Sequence, residues 1–193
     1  MNKFTKLALA AVSTLTVACP AAAQTVNGTV NITGSVAPKC LVLPGAGNSF
    51  GTLVALGELA QADGRLATDL ASRFSSIGGA GLIARVVCTS ANPTVAVDTL
   101  EITSTTPAVA GYANRIDFAA RVAVSVTPSG TDVIRNDSRN AATGPTALSG
   151  RLANNGNGNI TITADTFGTA DTNDLLVAGS YTGRIDIIIA PGV

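Results

Sequence analysis

A strict two-residue alternation runs through the chain from residue 25 onward, and it constrains the fold more than any other feature. In 25–36 (TVNGTVNITGSV) the even positions hold Val26, Gly28, Val30, Ile32, Gly34 and Val36, and every odd position is Thr, Asn or Ser. Side chains of an extended chain point to opposite faces in turn, so this segment has one aliphatic or glycine face and one polar face. The same period recurs at Leu82, Ala84, Val86 and Cys88, at Phe118, Ala120, Val122, Val124 and Val126, and at Ile160 and Ile162. It returns near the end, where Tyr181, Gly183, Ile185, Ile187 and Ile189 share a face opposite Thr182, Arg184 and Asp186. Turn signals separate the runs: Asn92-Pro93, Pro128-Ser129-Gly130, Gly144-Pro145 and the Asn/Gly stretch 154–159. Short alternating strands between such signals predict an all-β, antiparallel β-sandwich.

One segment resists the pattern. In 53–73, Leu53, Leu56, Leu59 and Ala60 stand at helical spacing, and Leu66 and Leu70 continue it after Asp63-Gly64. A short helix or two, or a hairpin or loop excursion, both fit. Gly57 and Gly64 weaken a continuous helix.

Residues 1–23 read as a secretory signal peptide. Lys3 and Lys6 precede the apolar run Leu7–Ala18, and Ala21-Ala22-Ala23 offers a small-residue cleavage site. No stretch is apolar for long enough to predict a membrane span. Cleavage would leave 24–193, with 10 basic against 12 acidic residues where the whole chain has 12 of each. It would also remove Cys19 and leave Cys40 and Cys88, an even pair in an oxidising compartment, for which a disulfide is the natural expectation. Closing a loop of roughly 49 residues is worth about 4 kcal/mol on the chain-entropy account. Two buried thiols or a metal pair are the alternatives, the latter poor without His.

The chain has no His, which excludes Ser-His-Asp and Cys-His catalysis and His-ligated metal. Twelve carboxylates are scattered with no spacing that suggests a glycosidase pair. Asp171-Thr172-Asn173-Asp174 lacks the Gly and distal Glu of a calcium loop, and Gly78-Gly79-Ala80-Gly81 lacks the Lys-Ser/Thr ending of a phosphate loop. The expectation is a non-enzyme with no metal and no cofactor. Balanced charge without a Lys/Arg cluster argues against a nucleic-acid partner. The segment 25–36 is either the first strand of its own sandwich or a strand that completes another subunit's sheet by β-strand addition.

In order along the chain, the alternating 25–36 leads to Cys40, then Phe50-Gly51-Thr52-Leu53, then Val86-Val87-Cys88-Thr89, and last Gly179-Ser180-Tyr181-Thr182-Gly183 before Ile185, Ile187 and Ile189. This order resembles secreted pilus subunits of the chaperone–usher type, most of all the archaic branch and the related spore-coat-protein-U-like domains, over nearly all of 24–193. The resemblance implies an immunoglobulin-like sandwich, 38–193, that lacks its last strand, preceded by a donor strand at 24–37. It implies that Val26, Val30, Ile32 and Val36 are donor plugs, that Gly28 permits close approach, and that Cys40–Cys88 ties the first strand to the second. The expected groove runs along Tyr181, Gly183, Ile185, Ile187 and Ile189. The implied role is a structural subunit of a fimbria or coat-like filament, passed through the periplasm by a chaperone to an outer-membrane usher and displayed at the cell surface. The implied partners are that chaperone and usher and neighbouring copies of the chain or related subunits. The alternative is a self-complete secreted β-sandwich binding module. The long stretch between Phe50 and Cys88, and the Ala190-Pro191-Gly192-Val193 ending, depart from the family pattern.

Overall fold

A computed structural model describes residues 27–44, 48–77, 82–128, 130–154, 156 and 158–192. The predicted signal segment 1–23, Val26 and the Gly78–Gly81 stretch lie outside these residues. Internal contacts divide the chain into Met1–Ser35 and Val36–Val193.

In the first unit, the described residues 27–35 pair with no strand of this chain, and Thr25 and Val26 lie outside the described residues. An alternating segment becomes a strand only when its backbone N–H and C=O groups find a ladder partner.

The described residues are nearly all β, with 45% strand and 4% helix, and the second unit has an antiparallel, sandwich-like, immunoglobulin-like arrangement. In chain order it comprises β1 (Cys40–Val42), α1 (Leu70–Ser76), β2 (Leu82–Ala84), β3 (Val86–Cys88), β4 (Thr94–Ser104), β5 (Tyr112–Ala113), β6 (Arg115–Thr127), β7 (Thr131–Asp137), β8 (Thr146–Ala147), β9 (Arg151–Leu152), β10 (Ile160–Gly168), β11 (Leu175–Leu176) and β12 (Tyr181–Ala190). β12 pairs with β4 along its whole length, and β8 takes the other edge of β4. β6 is flanked by β7 and β10, and β10 passes on to β2. The start of β6 bonds to β4 at Ile116 and Arg115, which joins the two layers. The short parallel pair β5–β11 and the antiparallel pair β1–β3 stand apart from this path.

The alternation places the core. Phe118, Ala120, Val122, Val124 and Val126 of β6 are all buried, against Ile160 and Ile162 of β10 and Val95 and Val97 of β4. Each such Val or Ile contributes roughly 1.5–3 kcal/mol of transfer free energy. Asp117 is the buried exception on β6. It is matched by Arg115 at 2.7 Å, by Arg139 at 3.5 Å and by the Ser138 hydroxyl, which donates to it at 3.0 Å. The bond to Asp117 raises the Arg115 pKa further above its ordinary value.

Cys40 and Cys88 are disulfide-bonded and stand directly opposite each other across β1 and β3. The ambiguous 53–73 segment resolves against a helix at its first leucines. Among the described residues helix occurs only at Leu70–Ser76, where Leu70 and Phe74 are buried. Gly57 and Gly64 have φ of +74° and +84°, a left-handed backbone that an α-helix cannot hold. Ala60 instead bridges to Leu66 around the Asp63-Gly64 turn, as the hairpin alternative requires.

Candidate functional site: an open groove along the last strand

β12 bonds to β4 from Tyr181↔Ser104 to Ala190↔Thr94, and its other edge has no ladder partner among the described residues. Ten residues of strand present about 33 Å of unpaired backbone. Ile185, Ile187 and Ile189 pack on the core but stay only half-buried, unlike Val95 and Val97 on the neighbouring strand.

A groove of about 1180 Å³ opens beside this edge. Its near bank is Ser180–Ile187 and its far bank is residues 49–60. The floor is made by core side chains seen from outside: Phe74, Leu82, Ile102, Phe118, Ile162 and Phe167. Phe118 and Phe167 stack with centroids 5.3 Å apart. A second hollow of about 500 Å³ lies at Ile187–Ile189, against Cys40, Leu41, Val42, Phe50 and Val86. Phe50 and Ile187 line both, so the two hollows are neighbours, and the second lies between Ile187–Ile189 and Cys40–Val42.

The far bank belongs to no ladder between Thr52 and Leu59. It is held at its ends. The Ser49 N–H donates to Ile83 C=O at 2.7 Å, and the Ile83 N–H donates to the Ser49 hydroxyl at 2.9 Å. Arg73, projecting from α1, donates to the Leu56 carbonyl at 3.2 Å and also to the Glu58 carbonyl, while its Nη2 pairs with Asp69 at 2.8 Å. Phe50, Val54, Leu56 and Leu59 pack inward, and Leu53 is left 90% exposed.

Tyr181 starts the near bank. Its hydroxyl lies 2.9 Å from the Val177 carbonyl and 3.1 Å from that of Ala113, and burial raises its pKa above the ordinary tyrosine value. Gly183 sits where β4 bulges opposite it, between Thr182 and Arg184. The charged lining consists of Glu58, Arg184 and Asp186, and the last two pair at 2.8 Å. Such a site offers apolar surface and unpaired backbone, which suits an extended peptide laid along a sheet edge.

Tyr181, Gly183, Ile185 and Ile187 line the main groove, and Ile189 the second hollow. Of the predicted donor residues, Val26 lies outside the described residues, and Gly28, Val30, Ile32 and Val36 are exposed. Val30, Ile32 and Val36 are 84%, 92% and 77% exposed. The Asp171 carboxylate accepts the Asn173 N–H in a local turn. Sequence reasoning missed the far bank and Arg73. Its signal was present in Leu56 and Leu59, whose spacing left a helix and a hairpin or loop excursion both open.

Comparison of the chain with family models, with curated proteins and with solved structures finds no match in any of the three. Among the described residues no helix is long and apolar enough to cross a membrane. That fact and the disulfide are compatible with an exported protein.

Proposed function

We propose that the chain is a structural subunit of an exported surface filament, fimbrial or coat-like, in which residues 25–36 of one copy fill the groove beside β12 of the next. One observation carries this reading: an apolar groove as long as a strand, open along an unpaired edge, in a chain that also has an uncharged alternating segment of matching length. Twelve residues of extended chain span about 40 Å, enough for the roughly 33 Å of β12. Val26, Val30, Ile32 and Val36 would set their side chains between Ile185, Ile187, Ile189 and the floor, with Gly28 where the fit is closest. At roughly 1.5–3 kcal/mol for each buried side chain, with backbone bonds on one or both banks, such a join would dissociate very slowly. An open apolar groove also invites aggregation, which favours transit through the periplasm under a chaperone and release at an outer-membrane usher.

The test uses a chain deleted for 24–36 and a synthetic peptide of residues 24–37. The deleted chain should form no filaments, bind the peptide, and melt at a higher temperature when it does. Filaments from the deleted chain would overturn the proposal. So would a full-length chain that stays monomeric at high concentration and takes up no peptide, the behaviour of a self-complete binding module.

A further inference from the structure

The chain just before β1 is strapped down by one side chain. The Lys39 N–H donates to the Thr89 hydroxyl at 2.9 Å, and that hydroxyl donates to the Ala37 carbonyl at 3.0 Å. The Thr89 N–H donates to the Lys39 carbonyl at 2.9 Å. Arg151 of β9 holds the Thr89 carbonyl from behind at 3.0 Å. Pro38, between the two strapped residues, has no N–H to contribute. The Cys40–Cys88 bond adjoins the strap, so the root of the N-terminal extension is fixed on both sides of Lys39.

The position of this root matters because it lies at one end of the groove. Cys40–Val42 line the hollow beside Ile187–Ile189, whereas Tyr181 lies at the opposite end. A strand antiparallel to β12 ends, at its C-terminus, beside Tyr181. From a root fixed at Ala37, one further residue reaches only about 3.5 Å, against the roughly 33 Å length of β12. An antiparallel occupant therefore has to come from another molecule. Antiparallel pairing is also the slightly more stable kind per residue, and it is the pairing β12 already makes with β4.

We propose that Thr89 is a positioning residue whose hydroxyl holds the root of the extension at the Ile189 end of the groove, and so reserves the antiparallel place along β12 for a second copy. The proposal rests on the donor-strand reading above and adds to it the residue that sets where the donor departs. Thr89 is exposed and is no part of the hydrophobic core, so its substitution should leave the sandwich intact.

The experiment compares Thr89→Val and Thr89→Ser with the wild type in filament assembly, amide exchange and peptide uptake. Thr89→Val removes both hydroxyl bonds, to the Lys39 N–H and the Ala37 carbonyl; it should expose the Lys39 amide to exchange and slow assembly by about fivefold or more. Thr89→Ser, which keeps the hydroxyl, should restore both. In the 24–36 deletion background, chains with and without the Thr89→Val substitution should bind the 24–37 peptide equally, because the groove is untouched. Assembly of Thr89→Val at the wild-type rate would overturn the proposal, as would a Thr89→Ser chain as slow as Thr89→Val. Neither result touches the donor-strand reading if the peptide still binds. Failure of the deletion chain that keeps Thr89 to bind peptide removes that reading and the proposal with it.

Discussion

Gly183 and Ile102 face each other across β12 and β4 so closely that a β-carbon on Gly183 would fall 2.7 Å from Ile102 Cγ1 and 3.0 Å from its Cα. The contact sits at the irregularity in register between Thr182 and Arg184. A flexible side chain could give way, but the Ile102 backbone cannot. Gly183→Ala should therefore destabilise the protein by about 1–3 kcal/mol through overpacking. Urea unfolding measures it, and a midpoint equal to wild type would show that β4 can yield there.

Asn159 should matter more than its size suggests. It is buried, its Oδ1 accepts the Val86 N–H at 2.9 Å, and its Nδ2 donates to the Val86 and Ala153 carbonyls at 2.6 and 2.8 Å. Asn159→Ala strands three backbone groups, with an expected loss of about 2–4 kcal/mol. Asn159→Asp should do no better, because a carboxylate would face two carbonyl oxygens. Chemical denaturation of both variants checks the order.

Removing the Cys40–Cys88 bond should lower the melting temperature by about 10 °C, from roughly 4 kcal/mol of unfolded-state entropy. The paired substitutions Cys40→Ser and Cys88→Ser avoid stray thiols. An unchanged melting temperature would count against a stabilising role.

Arg73 tests the far bank apart from the core. Arg73→Met removes the bonds to the Leu56 and Glu58 carbonyls, and Arg73→Lys keeps the charge but not the fork. Both should change stability by about 1 kcal/mol or less, since the guanidinium is a third exposed. Binding of the 24–37 peptide should weaken several-fold, because one bank loses its brace. Calorimetry on the deletion chain reads both quantities.

The raised pKa of Tyr181 has a definite sign in stability. Its phenol is neutral in both states below the unfolded value near 10, so its contribution is full there. Above that value the unfolded chain ionises first, and the contribution is lost as pH rises through the folded pKa. In a Tyr112→Phe background, ultraviolet titration should show Tyr181 ionising above the ordinary range. Tyr181→Phe should flatten the alkaline limb of the stability curve.

Legibility in the sequence followed the range of the physics. Period-two alternation reports which face of a strand meets the core, and it placed Val122, Val124, Ile160 and Ile162 without coordinates. Leu53, Leu56 and Leu59 stayed open between a helix and a hairpin or loop excursion, because helical spacing over three residues does not distinguish them. Only the left-handed Gly57 and Gly64 settle that local choice.

By itself the sequence determined the all-β class, the two cysteines that pair, and the aliphatic face shared by Ile185, Ile187 and Ile189. All three follow from local stereochemistry or from counting. The tertiary structure alone decided that β12 lies at an edge, that 49–60 stands across from it, and that Arg73 and Thr89 fix the bank and the root. Alternation says which way a side chain points and nothing about which strand lies alongside. Neighbours are set by pairings between residues far apart in the chain, such as Tyr181 with Ser104, and so is the open groove they leave.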